Sequence, residues 1–209
     1  MAHLANMITN PTLDIEITHW SDNRLLVGGV DEAGRGALAG PIIAACVILP
    51  PDISIMDTLK GVRDSKAMSA RNRSYWAEII RSVAISIGVG SIDQLQIDEF
   101  GIQPANQNAM VQAMLNCDVH ADHFVSDFVH WKNPPDHFQK YKKGESVSLS
   151  IAAASIIAKT TRDVMMEKFH QDFPQYGFDH NKGYGTKAHM DAINRSGPCR
   201  LHRKTFLTK

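Results

Sequence analysis

The chain reads as an α/β layered domain, and three observations point there. Apolar, β-branched stretches closed by glycine or proline open it at 24–33 and 42–49. Long segments with apolar residues at helical spacing follow at 69–83, 104–115, 148–169 and 186–195. Shorter strand-like segments at 85–90 and 122–129 alternate with them. Early strands followed by alternating helices and strands suit a sheet whose apolar faces are covered by helices.

Each element has its own reason. Leu25, Leu26, Val27 and Val30 are strand formers, and glycines close that segment. Ile42 to Leu49 is continuously apolar, as a buried strand is, and Pro50-Pro51 ends it. Ser69 to Val83 carries Tyr75, Trp76, Ile79, Ile80 and Val83 on one helical face. Ile85 to Gly90 is a third strand, and Ser91 is placed to cap a short helix holding Leu95 and Ile97. Pro104 to Leu115 has Met110, Val111, Met114 and Leu115 at helical spacing. Asp122 to Val129 alternates as a strand with Val125, Asp127 and Val129 on one face. In the long helix from Ser148 to Phe169, the small residues Ala152 to Ser155 favour close packing on a sheet. Thr186 to Arg195 is the last clear helix, stopped by Gly197-Pro198. Residues 1–23 show no period and contain the turn signal Asn10-Pro11, so they read as an N-terminal extension to a single domain at 24–209.

Composition narrows the class. At 209 residues, 44% hydrophobic and 21% charged, the chain suits one soluble domain. No apolar run approaches the roughly 20 residues of a membrane span, and no secretory signal is visible. Three sparse cysteines, Cys46, Cys117 and Cys199, argue against a disulfide framework and for a cytoplasmic setting. Lysine and arginine balance aspartate and glutamate at 22 each, yet from Val129 onward 14 basic residues face 7 acidic ones. A basic C-terminal half suits a phosphate-rich partner, although on charge alone solvation of exposed helices is the readier explanation.

The chemistry-bearing segment is Val30-Asp31-Glu32-Ala33-Gly34-Arg35-Gly36. Two adjacent carboxylates at the end of an apolar strand are costly unless positive charge sits beside them. Neighbouring strand residues point to opposite faces, so both serve one site only where the strand is distorted or ends. Gly34 and Gly36 permit such a break and let backbone amides approach a ligand. Arg35 supplies a planar donor suited to phosphate.

This string resembles the signature of the ribonuclease HII family. The resemblance continues in order through Asp64-Ser65-Lys66, Ser150 to Lys159, Thr161-Arg162-Asp163, Phe173 to Gly177, Lys182-Gly183-Tyr184 and His202 to Phe206. It implies a ribonuclease H-like mixed sheet flanked by helices, with a helical C-terminal part. It also implies four carboxylates holding two Mg²⁺ or Mn²⁺ ions, matched here by Asp31, Glu32, Asp127 and Glu145. Hard oxygen ligands suit those ions, and a two-ion site can activate water and stabilise a leaving oxygen. The implied activity is hydrolysis of the RNA strand of RNA/DNA hybrids and cutting 5′ of single ribonucleotides embedded in duplex DNA. The products would carry 3′-hydroxyl and 5′-phosphate ends. By the same resemblance Gly34, Arg35 and Gly36 contact the 2′-hydroxyl that separates RNA from DNA. Tyr184 packs at the RNA-to-DNA junction, and Lys66 lies near the substrate backbone. The expected state is a cytoplasmic monomer with no membrane partner.

Two positions depart from the family pattern. Glu145 stands where aspartate is usual and reaches about 1.5 Å further, which points to shifted metal use favouring Mn²⁺. The related ribonuclease HIII group shares that glutamate but normally lacks the Gly-Arg-Gly loop and carries an added N-terminal domain larger than 23 residues. The second departure is Asp127-Phe128-Val129, where the family has Asp-Gly-Asn; the strand there reads as continuing, and Asp118 and Asp122 are rivals to Asp127. Cys117, His120 and His123 beside those aspartates resemble half a zinc site, but four well-spaced ligands are lacking. A binding module without turnover, and a two-metal nuclease for other duplexes, are the competing functions. The retained carboxylates oppose the first, and Gly34-Arg35-Gly36 with Tyr184 opposes the second.

Overall fold

The computed structural model describes residues 10–22, 26–127, 129–131 and 133–207. Residues 1–9 and 23 of the expected 1–23 extension, and the expected strand opening at Arg24 and Leu25, lie outside the described residues. In chain order the helices are α1 (Asp14–Ser21), α2 (Ile55–Thr58), α3 (Ala70–Val83), α4 (Gln94–Phe100), α5 (Ile102–Leu115), α6 (Gly144–Val147), α7 (Leu149–Asp172), α8 (Phe178–Asn181), α9 (Lys187–Ser196) and α10 (Lys204–Leu207). The strands are β1 (Val27–Ala33), β2 (Ile42–Ile48), β3 (Ser86–Ile92), β4 (His123–Asp127) and β5 (Phe138–Tyr141).

The strands form one mixed sheet in the order β3-β2-β1-β4-β5. The β1–β2 and β2–β3 pairs are antiparallel, and β1–β4 and β4–β5 are parallel. Alternation along each strand divides the core between two faces. Ala33, Ile43, Ala45 and Val47 pack with α7 and α3 on one face. Val30, Ile42, Ala44, Cys46 and Ile48 pack with α5 on the other. A smaller cluster of Ala39, Met166, Tyr176, Phe178, Ala192 and Leu201 anchors the helical C-terminal part. The α/β layering expected from the sequence is thus what forms.

Helix α7 lies unusually close to the sheet. A Cβ on Gly29 would sit 2.1 Å from the backbone carbon of Ser150, so only glycine allows the approach. Its start is held from the N-terminal segment. Glu16, almost fully buried, accepts bonds from the Ser148 hydroxyl at 2.6 Å, the Ser150 amide at 2.9 Å and the Ser150 hydroxyl at 2.5 Å. A carboxylate at a helix N-terminus meets both unsatisfied amides and the positive end of the helix dipole. Leu13 is fully buried in the α7-side core, and the Leu149 amide donates to the Thr12 carbonyl at 2.9 Å.

Several local expectations are corrected. Ser91 is paired with Ile43 inside β3, and the cap of α4 is Asp93, whose side chain accepts from the Gln96 amide at 2.9 Å. Strand β4 ends at Asp127, and Val129 joins the opposite, α5-side core instead of sharing a face with Val125 and Asp127. Tyr75 and Leu115, expected on apolar helix faces, are exposed at 59% and 68%. Burial on α3 shifts to Ala77 and Ile80, because the helix meets α7 along a narrower stripe than the apolar count suggests.

Glu16→Ala removes three charge-assisted hydrogen bonds at the start of α7. The expected loss is about 3 kcal/mol or more, read as a lower midpoint in urea unfolding with an unchanged slope.

Candidate active site

Parallel strands that end together leave a crevice beyond their carboxyl ends. Here pairing of β1 with β4 stops at Val30–Ser126, whereas pairing of β1 with β2 continues to Ala33–Ile43. The partner ends, and the strand itself does not break. Of the two expected conditions, a distorted strand or one that ends, β1 meets the second, closing at Ala33 directly after Glu32. Asp31 shares the α7 face with Gly29 and Ala33, and Glu32 shares the α5 face with Val30. Beside the missing stretch of β4, side chains from both faces reach the same opening.

The opening is a pocket of about 270 Å³ lined by Asp31, Glu32, Gly34, Arg35, Gly36, Ser65, Lys66, Asp127, Lys159 and Tyr184, with Ala33 between them. Glu145 borders it from α6, with its Oε1 3.8 Å from the Lys66 ammonium. All nine residues singled out in the sequence therefore meet at one place. Asp127 holds its position by accepting from the Gly144 amide at 2.8 Å, which also fixes the turn that presents Glu145. Its rival Asp122 is engaged at the far end of β1, where its carboxylate accepts from the Leu26 amide at 3.0 Å. The Asp118 turn lies at that end too, since the Val119 amide donates to the Ser86 hydroxyl at the start of β3. Cys117 turns its thiol towards the Ala113 carbonyl at 3.6 Å, and His123 stacks on His19 at 3.9 Å.

Lys159 closes the resemblance string that begins at Ser150, but no role was read for it, because the start of that string reads as core packing. It lies over the Tyr184 ring, 5.4 Å from its centroid, and pairs with Asp163 at 2.6 Å. Arg73 pairs with the same Asp163 at 3.2 Å. Its helical spacing from Arg162 and its own place in a resemblance string are the signals that would have found it.

Two fully buried arginines shape the Gly34-Arg35-Gly36 loop by binding carbonyl oxygens. Arg162 donates to Pro41, Ala39 and Lys182 at 2.9, 3.0 and 2.8 Å. Arg203 donates twice to Gly40, at 3.0 and 2.9 Å, and to Arg35 at 3.0 Å. Burial pulls the Arg203 guanidinium down to about 9. Gly34 has φ +95°, and a Cβ there would lie 2.0 Å from the Arg162 Nε, so backbone conformation and the buried guanidinium both require glycine.

The electrostatics are those of a site crowded with negative charge. Burial, and then repulsion from Glu32, push the Asp31 carboxyl well above its usual range. Burial also raises Glu32, opposed by Arg35 and reinforced by Asp127. Glu145 is raised first by burial and then by the neighbouring Asp127. Desolvation lowers the Lys66 ammonium, but Asp31 and Glu145 outweigh it and leave Lys66 above its ordinary value.

The donor set suits divalent cations. Four carboxylates supply hard oxygens only, and Glu145 Oε2 is buried without a hydrogen-bond partner among the described residues. An unpaired, desolvated carboxylate oxygen is costly unless a cation completes it. Among the described residues no group of three His, Cys, Asp or Glu side chains already encloses a metal position. The fit therefore lies in donor chemistry and in the placement of these carboxylates around one pocket. Asp31, Glu32, Asp127 and Glu145 are the residues that would hold such ions.

A ribonuclease HII family model matches residues 28–209. The ribonuclease HII of Caldanaerobacter subterraneus subsp. tengcongensis is 44% identical over 183 residues, 88% of this chain and 74% of the relative. That of Geobacter metallireducens is 48% identical over 181 residues, 86% of this chain and 83% of the relative. The crystal structure of the ribonuclease H2 from Pyrococcus horikoshii OT3 superposes with a TM-score of 0.71 at 24% identity, covering 86% of this chain and 93% of that one. Bst-RNase HIII in complex with Mn²⁺ superposes with a TM-score of 0.65 at 23% identity, covering 83% of this chain and 63% of that one. At these identities the structural likeness speaks for the fold.

A raised carboxyl stabilises the fold below the ordinary carboxylate range, and that stability is lost as pH rises through the raised value. At neutral pH without divalent ions Asp31 therefore destabilises the protein. Asp31→Asn is expected to raise the metal-free melting temperature by ~2–4 °C, as about 1 kcal/mol does in a chain of this size. The gain should shrink as pH falls through the raised Asp31 value and be gone below the ordinary carboxylate range, and the variant should be stabilised less than wild type by added Mn²⁺; differential scanning fluorimetry measures all three.

Proposed function

Because this chain belongs to the ribonuclease HII family of hydrolytic nucleases, we propose that its substrates are RNA/DNA hybrids and duplex DNA carrying single ribonucleotides. The proposed cut falls on the 5′ side of the ribonucleotide and leaves 3′-hydroxyl and 5′-phosphate ends. One observation carries this reading: the carboxylates, the Gly34-Arg35-Gly36 loop, Lys66 and Tyr184 come from distant parts of the chain and border one pocket.

Two divalent ions, when bound, would activate the attacking water and stabilise the departing 3′ oxygen. Asp31, Glu32, Asp127 and Glu145 hold and space that charge. Arg35 is exposed at the mouth and its neighbouring glycines present little bulk, which suits contact with a 2′-hydroxyl. The Lys66 ammonium is mostly exposed and free to meet a backbone phosphate while balancing Asp31 and Glu145. The Tyr184 ring, between Lys159, Arg162 and the pocket, offers a flat surface to a sugar or base at the junction. The longer reach of Glu145 favours Mn²⁺ over Mg²⁺, because Mg²⁺ demands a shorter and stricter octahedral shell. The reading includes a cytoplasmic monomer.

The deciding assay uses an end-labelled DNA duplex with one ribonucleotide, incubated in Mg²⁺, in Mn²⁺ and in chelator. Cutting 5′ of the ribonucleotide, dependent on metal and faster in Mn²⁺, is the expected result. Retained binding without cutting in either metal would replace the nuclease with a binding module, and cutting confined to long hybrids would point to ribonuclease HIII-like selectivity. Tyr184→Ala should slow cleavage at single ribonucleotides about tenfold and spare long hybrids; equal loss on both would remove the junction role.

A further inference from the structure

Behind Tyr184 lies a buried pair of histidines that the proposed reaction does not use. His189, on α9, is fully buried, and His202, between α9 and α10, is 2% exposed. Their Nε2 atoms face each other at 3.1 Å. His189 Nδ1 lies 2.9 Å from the Tyr184 carbonyl oxygen. His202 Nδ1 lies 3.0 Å from the Cys199 amide nitrogen and 3.2 Å from its thiol.

Hydrogen-bond chemistry allows one arrangement of protons for neutral rings. A carbonyl only accepts, so His189 Nδ1 carries hydrogen and its Nε2 is bare. The facing His202 Nε2 must then carry hydrogen, and His202 Nδ1 is bare. At the other end the Cys199 amide only donates, which independently requires a bare His202 Nδ1. The longer 3.3 Å approach of that nitrogen to the Cys199 carbonyl is therefore a contact without a proton. Both ends of the chain thus dictate the same tautomers.

The surroundings keep the pair neutral. Tyr176 and Phe178 pack their rings against His202 at 4.8 and 5.8 Å and against His189 at 6.3 and 5.4 Å. The titratable neighbours in contact are Tyr176 and Cys199, both raised by burial and so neutral, and the next residue, Arg203, is cationic. Burial lowers both histidines, His202 to about 4 with help from His189.

We propose that His189 and His202 are positioning residues that hold Tyr184 at the pocket through a fixed chain of hydrogen bonds, Cys199 amide to His202 to His189 to the Tyr184 carbonyl. The chain ends on the backbone of the segment whose ring lines the pocket. That segment is gripped elsewhere too: the Leu38 amide donates to the Gly183 carbonyl at 2.8 Å, and Arg162 holds the Lys182 carbonyl. The histidine chain fixes the carbonyl of Tyr184 itself, which also accepts from the Thr186 amide at 2.8 Å. The proposal rests on the junction reading of Tyr184, and its tests separate the two.

The first test is independent of catalysis. Nitrogen-15 NMR of histidine-labelled wild-type protein at pH 7 should show His189 as the Nδ1–H tautomer and His202 as the Nε2–H tautomer. Reversed tautomers, or a charged ring at that pH, would overturn the proposal. The second test compares His189→Asn, whose amide can still donate to the Tyr184 carbonyl, with His189→Leu, which cannot. His189→Leu should lose about tenfold in kcat/KM on single-ribonucleotide duplex relative to long hybrid, and His189→Asn should recover most of that ratio. Equal loss on both substrates, or no rescue by asparagine in a protein with a native melting profile, would reduce the pair to a packing role. Were wild-type protein to show no preference between substrates while the tautomers matched, the junction reading would fall and the hydrogen-bond chain would stand.

Discussion

The site depends on how closely α7 approaches β1. Without a side chain at Gly29, the helix backbone settles directly on the central strand. That contact sets the depth of a 24-residue helix serving three regions at once. Its start follows the turn that presents Glu145, its middle supplies Lys159 and Arg162, and Met166 enters the C-terminal core. At about 1.5 Å per residue such a helix is long enough to couple the carboxylates to the segment carrying Tyr184.

The same arrangement explains where charge is tolerated. Carboxylates crowd the crevice at the end of the β1–β4 pair, and burial raises three of them. The buried guanidiniums of Arg162 and Arg203 do not neutralise that crowd; they bind backbone carbonyls. Their work is to fold residues 35–41 into a loop beside the carboxylates. The site thus keeps an excess of negative charge for cations to compensate, while its positive side chains shape the walls. Such sites trade stability for function.

Legibility in the sequence followed distance along the chain. Asp31 and Glu32 were readable because they are adjacent, end an apolar strand and precede glycines. Asp127 was readable through resemblance, and its place after the hydrophobic residues of a strand set it ahead of its rivals. Gly34 to Gly36, Lys66, Glu145 and Tyr184 were readable through resemblance, since nothing in their local spacing implies that they meet. Glu16 was missed because it stands in a segment without period, and its partners Ser148 and Ser150 lie more than 130 residues away. Strand β5 was missed because its four residues are partly exposed and mostly polar, as at a sheet edge.

By itself the sequence determined the layered class, most of the strands and helices, and the chemical type of the site, because hydrophobic periodicity and adjacent residue types are local properties. Tertiary structure decided the rest. Only the unequal ends of β1's two pairings show why Asp31 and Glu32 reach one opening without a broken strand. Only the close approach of α7, whose start Glu16 holds, shows how Glu145 and Lys159 bear on the same site. Only the folded C-terminal part faces His189 with His202 and leaves each proton a single place. These features arise from contacts between residues far apart in sequence, and no local pattern encodes which distant groups will share a dry interior.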